Sequence, residues 1–118
     1  MGQDFATPEG QIVVSNEVIA TIAGLAAMEC YGVVGMAARG IQDGLARLLG
    51  RENLSRGVNV EITDDQVIIT LGVIVGYGMK ISEVARNIVH QVRYAVEKAT
   101  GLQVTRVIID VQGVRIQK

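Results

Sequence analysis

The sequence predicts an α+β fold: a two-layer α/β sandwich in which a mixed sheet of four to five strands carries two long helices on one face, plus one short helix. Three observations carry this. Residues 58–63 alternate strictly, with Val58, Val60 and Ile62 against Asn59, Glu61 and Thr63. After Asp64-Asp65-Gln66 the apolar run 67–75 returns as the second arm of a hairpin. Two stretches, 16–30 and 82–100, repeat apolar residues at spacings of three and four, the period of an amphipathic helix. The runs follow the order β-α-β-α-β-β-α-β, without an internal repeat or a low-complexity segment, so residues 10–118 read as one domain behind an N-terminal arm, 1–9.

Each element has a local reason. Residues 11–15 are β-rich and end at Ser15-Asn16, two good helix caps. The helix that follows places Val18, Ile22, Leu25, Ala26 and Glu29 on one stripe, and Gly24 inside it costs about 1 kcal/mol relative to Ala unless another backbone packs there. Gly32 ends that helix and a short strand follows within 31–40. Ile41, Leu45, Leu48 and Leu49 share one face of a short helix, 41–49, stopped by Gly50, and 51–57 is a polar connection. In the run 67–75, Val67, Ile69, Leu71, Val73 and Val75 take the core face, and Ile68, Thr70, Gly72 and Ile74 the other. The long helix 82–100 buries Ile81, Val84, Ala85, Ile88, Val92, Ala95, Val96 and Ala99, and Gly101 stops it. The last strand, within 102–116, turns Val107, Ile109 and Val111 inward and Arg106, Ile108 and Asp110 outward.

Composition narrows the function. With 118 residues, 11 basic and 12 acidic, the net charge is −1, which supplies no strong positive field for nucleic acid. One Cys and one His exclude an internal disulfide and a Cys/His metal cage. No metal or cofactor is expected. The start lacks the basic and apolar regions of a signal peptide, and no run reaches the roughly 18 apolar residues of a membrane span, so the expected location is the cytoplasm.

The stretch 72–82, GVIVGYGMKIS, has the grammar of a phosphate loop, and Gly76, Gly78, Lys80 and Ser82 are its candidate anion ligands. A P-loop needs Gly-Lys-Ser/Thr without gaps, but Met79 parts Gly78 from Lys80 and Ile81 parts Lys80 from Ser82. Its strand belongs to a hairpin and not to a parallel βαβ unit, so the stretch reads as a strand-to-helix corner in which Ser82 caps or begins the helix. His90 shares a solvent face with Arg86, Arg93 and Glu97, Cys30 reads as a small core residue, and Asp64-Asp65 as turn residues; no nucleophile–base set appears, and a non-enzyme is expected. Two surfaces are candidates for binding. Arg39, Arg47, Arg51 and Arg56 cluster around the short helix as a patch for an anionic surface such as lipid headgroups. Ile68, Ile74 and Ile108 make the outer sheet face apolar, for the short helix or another subunit to cover.

Residues 10–37, GQIVVSNEVIATIAGLAAMECYGVVGMA, residues 73–104, VIVGYGMKISEVARNIVHQVRYAVEKATGLQV, and residues 107–114, VIIDVQGV, together resemble the alkaline shock protein family, envelope stress response proteins of Gram-positive bacteria, in its short-form branch. The Tyr-Gly turn before the long helix and the Val-Gln-Gly-Val close are the most specific parts. The resemblance implies a non-catalytic cytoplasmic protein that self-associates, lies near the membrane through a membrane-anchored partner and serves envelope homeostasis. It carries over no catalytic residue. Its short members are associated with a fatty-acid-kinase-like protein, which makes lipid metabolism a second context.

Overall fold

The computed structural model describes residues 2–7, 10–37, 51–63 and 66–116. In chain order these form β1 (Gly2–Thr7), β2 (Gly10–Ser15), α1 (Asn16–Met28), β3 (Val33–Met36), a 3₁₀ helix (Arg51–Gly57), β4 (Val58–Ile62), β5 (Val67–Gly76), α2 (Ile81–Thr100) and β6 (Arg106–Arg115). The expected α+β class holds, with a mixed four-stranded sheet and both long helices packed on one face of it. The expected helix 41–49 lies outside the described residues.

β5 is the axis of the sheet. Along one edge its first half pairs antiparallel with β4, Val58 opposite Leu71 to Ile62 opposite Val67, and its second half antiparallel with β3. Its other edge pairs with β6 along almost its whole length, and this ladder is parallel. The hairpin arm therefore also opens a β5–α2–β6 unit, contrary to the expectation that the strand before the glycine turn lacks a parallel βαβ context. The strand is long enough to serve both pairings, one on each edge. Such a run, buried on both faces, reads as continuously apolar.

The helical side of β5 (Val67, Ile69, Leu71, Val73 and Val75) meets Ile19, Ala23 and Ala27 of α1 and Val84, Ile88, Val92 and Val96 of α2 in one core. α2 buries every fourth residue from Val84 to Val96, leaves the expected Ile81 and Ala99 exposed because they lie at its ends beyond the core, and stops at Gly101 in a left-handed turn (φ +81°) whose N–H donates to Glu97 O. α1 presents a different face from the expected one. Its buried residues are Ile19, Ala20, Ala23, Gly24 and Ala27, one position round from the Val18–Ile22–Leu25 stripe. Small side chains let the helix approach closely: a Cβ on Gly24 would stand 3.2 Å from Leu54 Cβ. Leu54 comes from the segment expected to be a polar connection; that segment coils into the 3₁₀ helix and drives this one leucine into the core.

The N-terminal arm is ordered into a strand: β1 pairs antiparallel with β2, Gly2 opposite Ser15 to Thr7 opposite Gly10. This hairpin is a separate two-stranded sheet, and its principal contact with the body is β2 against α1.

Candidate interaction surfaces

The glycine turn sits where β5 hands over to α2, at the carboxyl end of a parallel strand, the usual place for a ligand in such units. Gly76 is buried and its N–H donates to Gly32 O at 2.9 Å; Tyr77 is exposed and its N–H donates to Arg115 O at 2.7 Å. Gly78 takes φ +89°. Lys80, not Ser82, is the N-cap residue; it makes no side-chain capping bond, and Ser82 is an exposed residue within the first turn. Lys80 Nζ lies 3.6 Å from Glu83 Oε2. A carboxylate therefore stands at the helix N-terminus beside the cation an anion would need, and it complements the helix dipole itself. The turn thus gathers Gly76, Gly78, Lys80 and Ser82 in one corner with its positive charge already matched. A cavity of about 260 Å³ beside it is lined by Tyr31, Met79, Lys80, Glu83, Val84 and Asn87.

Of the arginine group, Arg39 and Arg47 lie outside the described residues, Arg51 opens the 3₁₀ helix, and Arg56 near its end is exposed. Arg56 also lines a cavity of about 270 Å³ with Asn16, Glu17 and Asn59, a mixed lining rather than a basic one.

The outer sheet face, expected to be covered by the short helix or by another subunit, is buried unevenly. Ile108 is 37% exposed and Ile68 half-buried, but Ile74 is 0% exposed and cannot meet a partner in the folded chain. Its neighbours in register, Gly35 on β3 and Gly113 on β6, are both glycines, and a Cβ on Gly113 would lie 3.7 Å from Ile74 Cγ1. Ile74 fills space that larger neighbours would take.

An exposed apolar stripe lies instead on α1. Val18 is 49% and Leu25 40% exposed, Ile22 is half-buried between them, and the spacing of four and three residues puts them in a line. A shallow depression of about 330 Å³ between Ser15, Glu17, Val18, Thr21 and Ile22 continues it. The stripe is plain in the sequence, but α1 is apolar on more than one side, and its neighbouring face of small residues is the one fully buried.

The remaining expected residues fall in structural or solvent roles. His90 is exposed beside Glu83, Arg86 and Asn87. Cys30 is buried, its Sγ–H donates to Ala26 O at 3.5 Å, and burial, with the nearby Glu29 charge, pushes its thiol above the usual range. Asp64 and Asp65 lie outside the described residues. Glu97, expected on the solvent face, accepts the Val104 N–H at 2.8 Å and ties the end of α2 to the segment leading into β6. Among the described residues, no group of three or more His, Cys, Asp or Glu could hold a metal ion, and no helix is long and apolar enough to cross a membrane.

A family model for the alkaline shock protein 23 family, of cell envelope-related function, matches residues 4–116. The chain belongs to that family. Among its relatives, the chain is 51% identical over 117 residues to the uncharacterized protein YloU of Bacillus subtilis strain 168, covering 98% of each. It is 40% identical over 111 residues to an uncharacterized protein of Streptococcus pyogenes serotype M6, covering 93% of this chain and 92% of the relative. The uncharacterized protein YqhY of Bacillus subtilis strain 168 is 30% identical over 106 residues, 90% of this chain and 78% of the relative. No solved structure matches. The family match spans the glycine turn, the α1 stripe and all of β6.

Proposed function

We propose that the chain is a non-catalytic scaffold or adaptor of the cell-envelope stress response, acting by self-association and by docking protein partners at the cytoplasmic side of the membrane. The observation that carries this reading is the Val18–Ile22–Leu25 stripe: Ile22 is partly buried against the core, and Val18 and Leu25 flank it with apolar side chains left in solvent. A scaffold works through such surfaces, and a membrane-anchored partner protein would bring to the membrane a chain whose described helices do not cross it. A regulatory subunit holding an anionic metabolite at Gly76–Ser82, or serving a lipid-metabolism enzyme such as a fatty-acid-kinase-like protein, is the weaker reading, because Glu83 already matches Lys80.

The test is complementation of envelope-stress sensitivity in a deletion strain, with in-cell crosslinking, by the wild type and by Val18→Glu/Leu25→Glu. Both side chains are exposed enough that the variant should fold, which circular dichroism checks. The reading expects the folded variant to lose its crosslinks and to fail to complement. Full complementation with unchanged crosslinks would remove the stripe from the function.

A further inference from the structure

α1 carries no basic residue. Between Asn16 and Cys30 its charges are Glu17 and Glu29 alone, whereas α2 mixes its acids with Arg86, Arg93 and Lys98. Both carboxylates of α1 are exposed, and neither is in an ion pair among the described residues. Glu17 stands in the first turn, where an acid complements the helix dipole. Glu29 is the C-cap residue, at the negative end, and the last turn holds no basic residue to offset it. One turn beyond Leu25, it also continues the line Val18–Ile22–Leu25. Glu17 sits at the other end of that line, on the rim of the depression beside Val18, Thr21 and Ile22. The two acids are about 18 Å apart along the axis. Arg56 shares a cavity with Glu17 and buried Ala20, on the side away from the line, so the Glu29 end is the more negative.

We infer that this line seats a basic amphipathic helix of a partner protein, laid along α1 with its apolar residues on Val18, Ile22 and Leu25 and a Lys or Arg at each end for Glu17 and Glu29. The inference rests on the docking part of the reading above and assigns the partner its chemistry. A helix spends its backbone groups on itself, so α1 offers a partner side chains and not a sheet edge. Residues at i, i+4 and i+7 match the anchors that another helix presents. Charge then selects among apolar partners. A second copy seated by the same line brings glutamate to glutamate, whether the two helices run parallel or antiparallel. An anionic lipid surface meets the same two charges. A cation beside Glu29 instead supplies what the C-terminus of α1 lacks. Because an acid stands at each end, either direction of the partner helix satisfies both, and the separation of its cations, about 18 Å, is the specific requirement.

The experiment titrates the full chain with two synthetic peptides and reads fluorescence anisotropy. Both are alanine-based helices with leucines at i, i+4 and i+7. One carries a lysine beyond each end of that line, about 18 Å apart, and the other a glutamate at the same two places. The lysine peptide is expected to bind about tenfold more tightly, and the difference to shrink as salt is raised. Glu29→Lys, which sets a cation at the helix C-terminus and so keeps the fold, should weaken the lysine peptide about tenfold and tighten the glutamate peptide. Val18→Gln/Leu25→Gln, folded by circular dichroism, should lose both peptides. Equal binding of the two peptides to the wild type overturns the inference and leaves an uncharged docking line. Binding of neither, while crosslinks in cells still depend on the line, overturns the inference and leaves the docking reading standing. Phosphatidylglycerol vesicles and sedimentation of the wild type run beside these. Vesicle binding, or a dimer, that Val18→Gln/Leu25→Gln removes would seat a lipid surface or a second copy on the line and overturn the inference.

Discussion

Gly32 takes φ +93° between α1 and β3, and a Cβ there would stand 2.7 Å from Val84 Cγ2 and 3.1 Å from the Met79 methyl. Gly78 has a similar φ of +89° but nothing within 4 Å of its missing Cβ. The two glycines separate backbone strain from steric exclusion. Gly78→Ala is expected to cost about 1–2 kcal/mol, the left-handed penalty alone. Gly32→Ala adds a clash inside the core and should lose at least about 1 kcal/mol more, read from urea unfolding of both variants. Equal losses would mean that α2 moves aside. Cys30 offers a second test at this scale. Its thiol is raised above 9.0 by burial, then by Glu29, so the folded state holds its proton longer than the unfolded state does. Its contribution to stability is therefore fully present below pH 9.0 and is lost as pH rises through the raised value. Stability should fall less steeply above that pH in Cys30→Ala than in the wild type, compared by urea unfolding across an alkaline series. Parallel slopes would show that Cys30 does not titrate against the fold.

Elements with a single period were legible in the sequence, and those with two apolar faces were not. The alternation in 58–63 is found as expected, and the glycine-stopped stripe of α2 is found along its centre, Val84, Ile88, Val92 and Val96, whereas Ile81 and Ala99 at its ends are exposed. For α1 the pattern admits two faces, and volume decides between them: Ala20, Ala23, Gly24 and Ala27 let the helix sit close to the 3₁₀ segment, which Val18 and Leu25 would prevent. The parallel β5–β6 ladder is hidden in the sequence because a hairpin accounts for one edge of a strand and its pattern does not say what pairs with the other. Of the candidate site, the glycine corner is legible as a corner, whereas the burial of Ile74, beside Gly35 and Gly113 in the sheet, is set by residues distant in sequence. Leu54 carries no periodic signal because its neighbours Arg51, Glu52, Asn53 and Arg56 are polar, yet it is only 2% exposed beneath α1. Leu54→Ala should therefore cost about 2–5 kcal/mol, as truncation of a buried leucine does. A loss near zero in thermal or urea unfolding would mean that α1 does not depend on the 3₁₀ segment. Glu97 belongs to the same scale, since one carboxylate joins two elements. Glu97→Ala frees the Val104 N–H and should lose about 1–3 kcal/mol, while Glu97→Gln keeps an acceptor and should lose less.

Stability across the whole molecule should be graded from β5 outward. β5 is bonded on both edges, and every residue from Ile69 to Gly76 is buried. Among the described strands β1 and β2 pair only with each other, and Val13 on β2 is 63% exposed. A lone two-stranded hairpin is marginal in water, and local opening follows the contacts that must break. Hydrogen exchange should therefore find β5 amides opening only with the global transition and β1 amides opening at far lower free energy. Removing residues 1–9 should change the urea stability of the body by less than about 1 kcal/mol, because the structures that hold the core lie elsewhere. The same measurement at high and low protein concentration separates intrachain from interchain support. β1 protected as strongly as β5 at every concentration would contradict the grading, and would place the hairpin inside the cooperative unit of the fold.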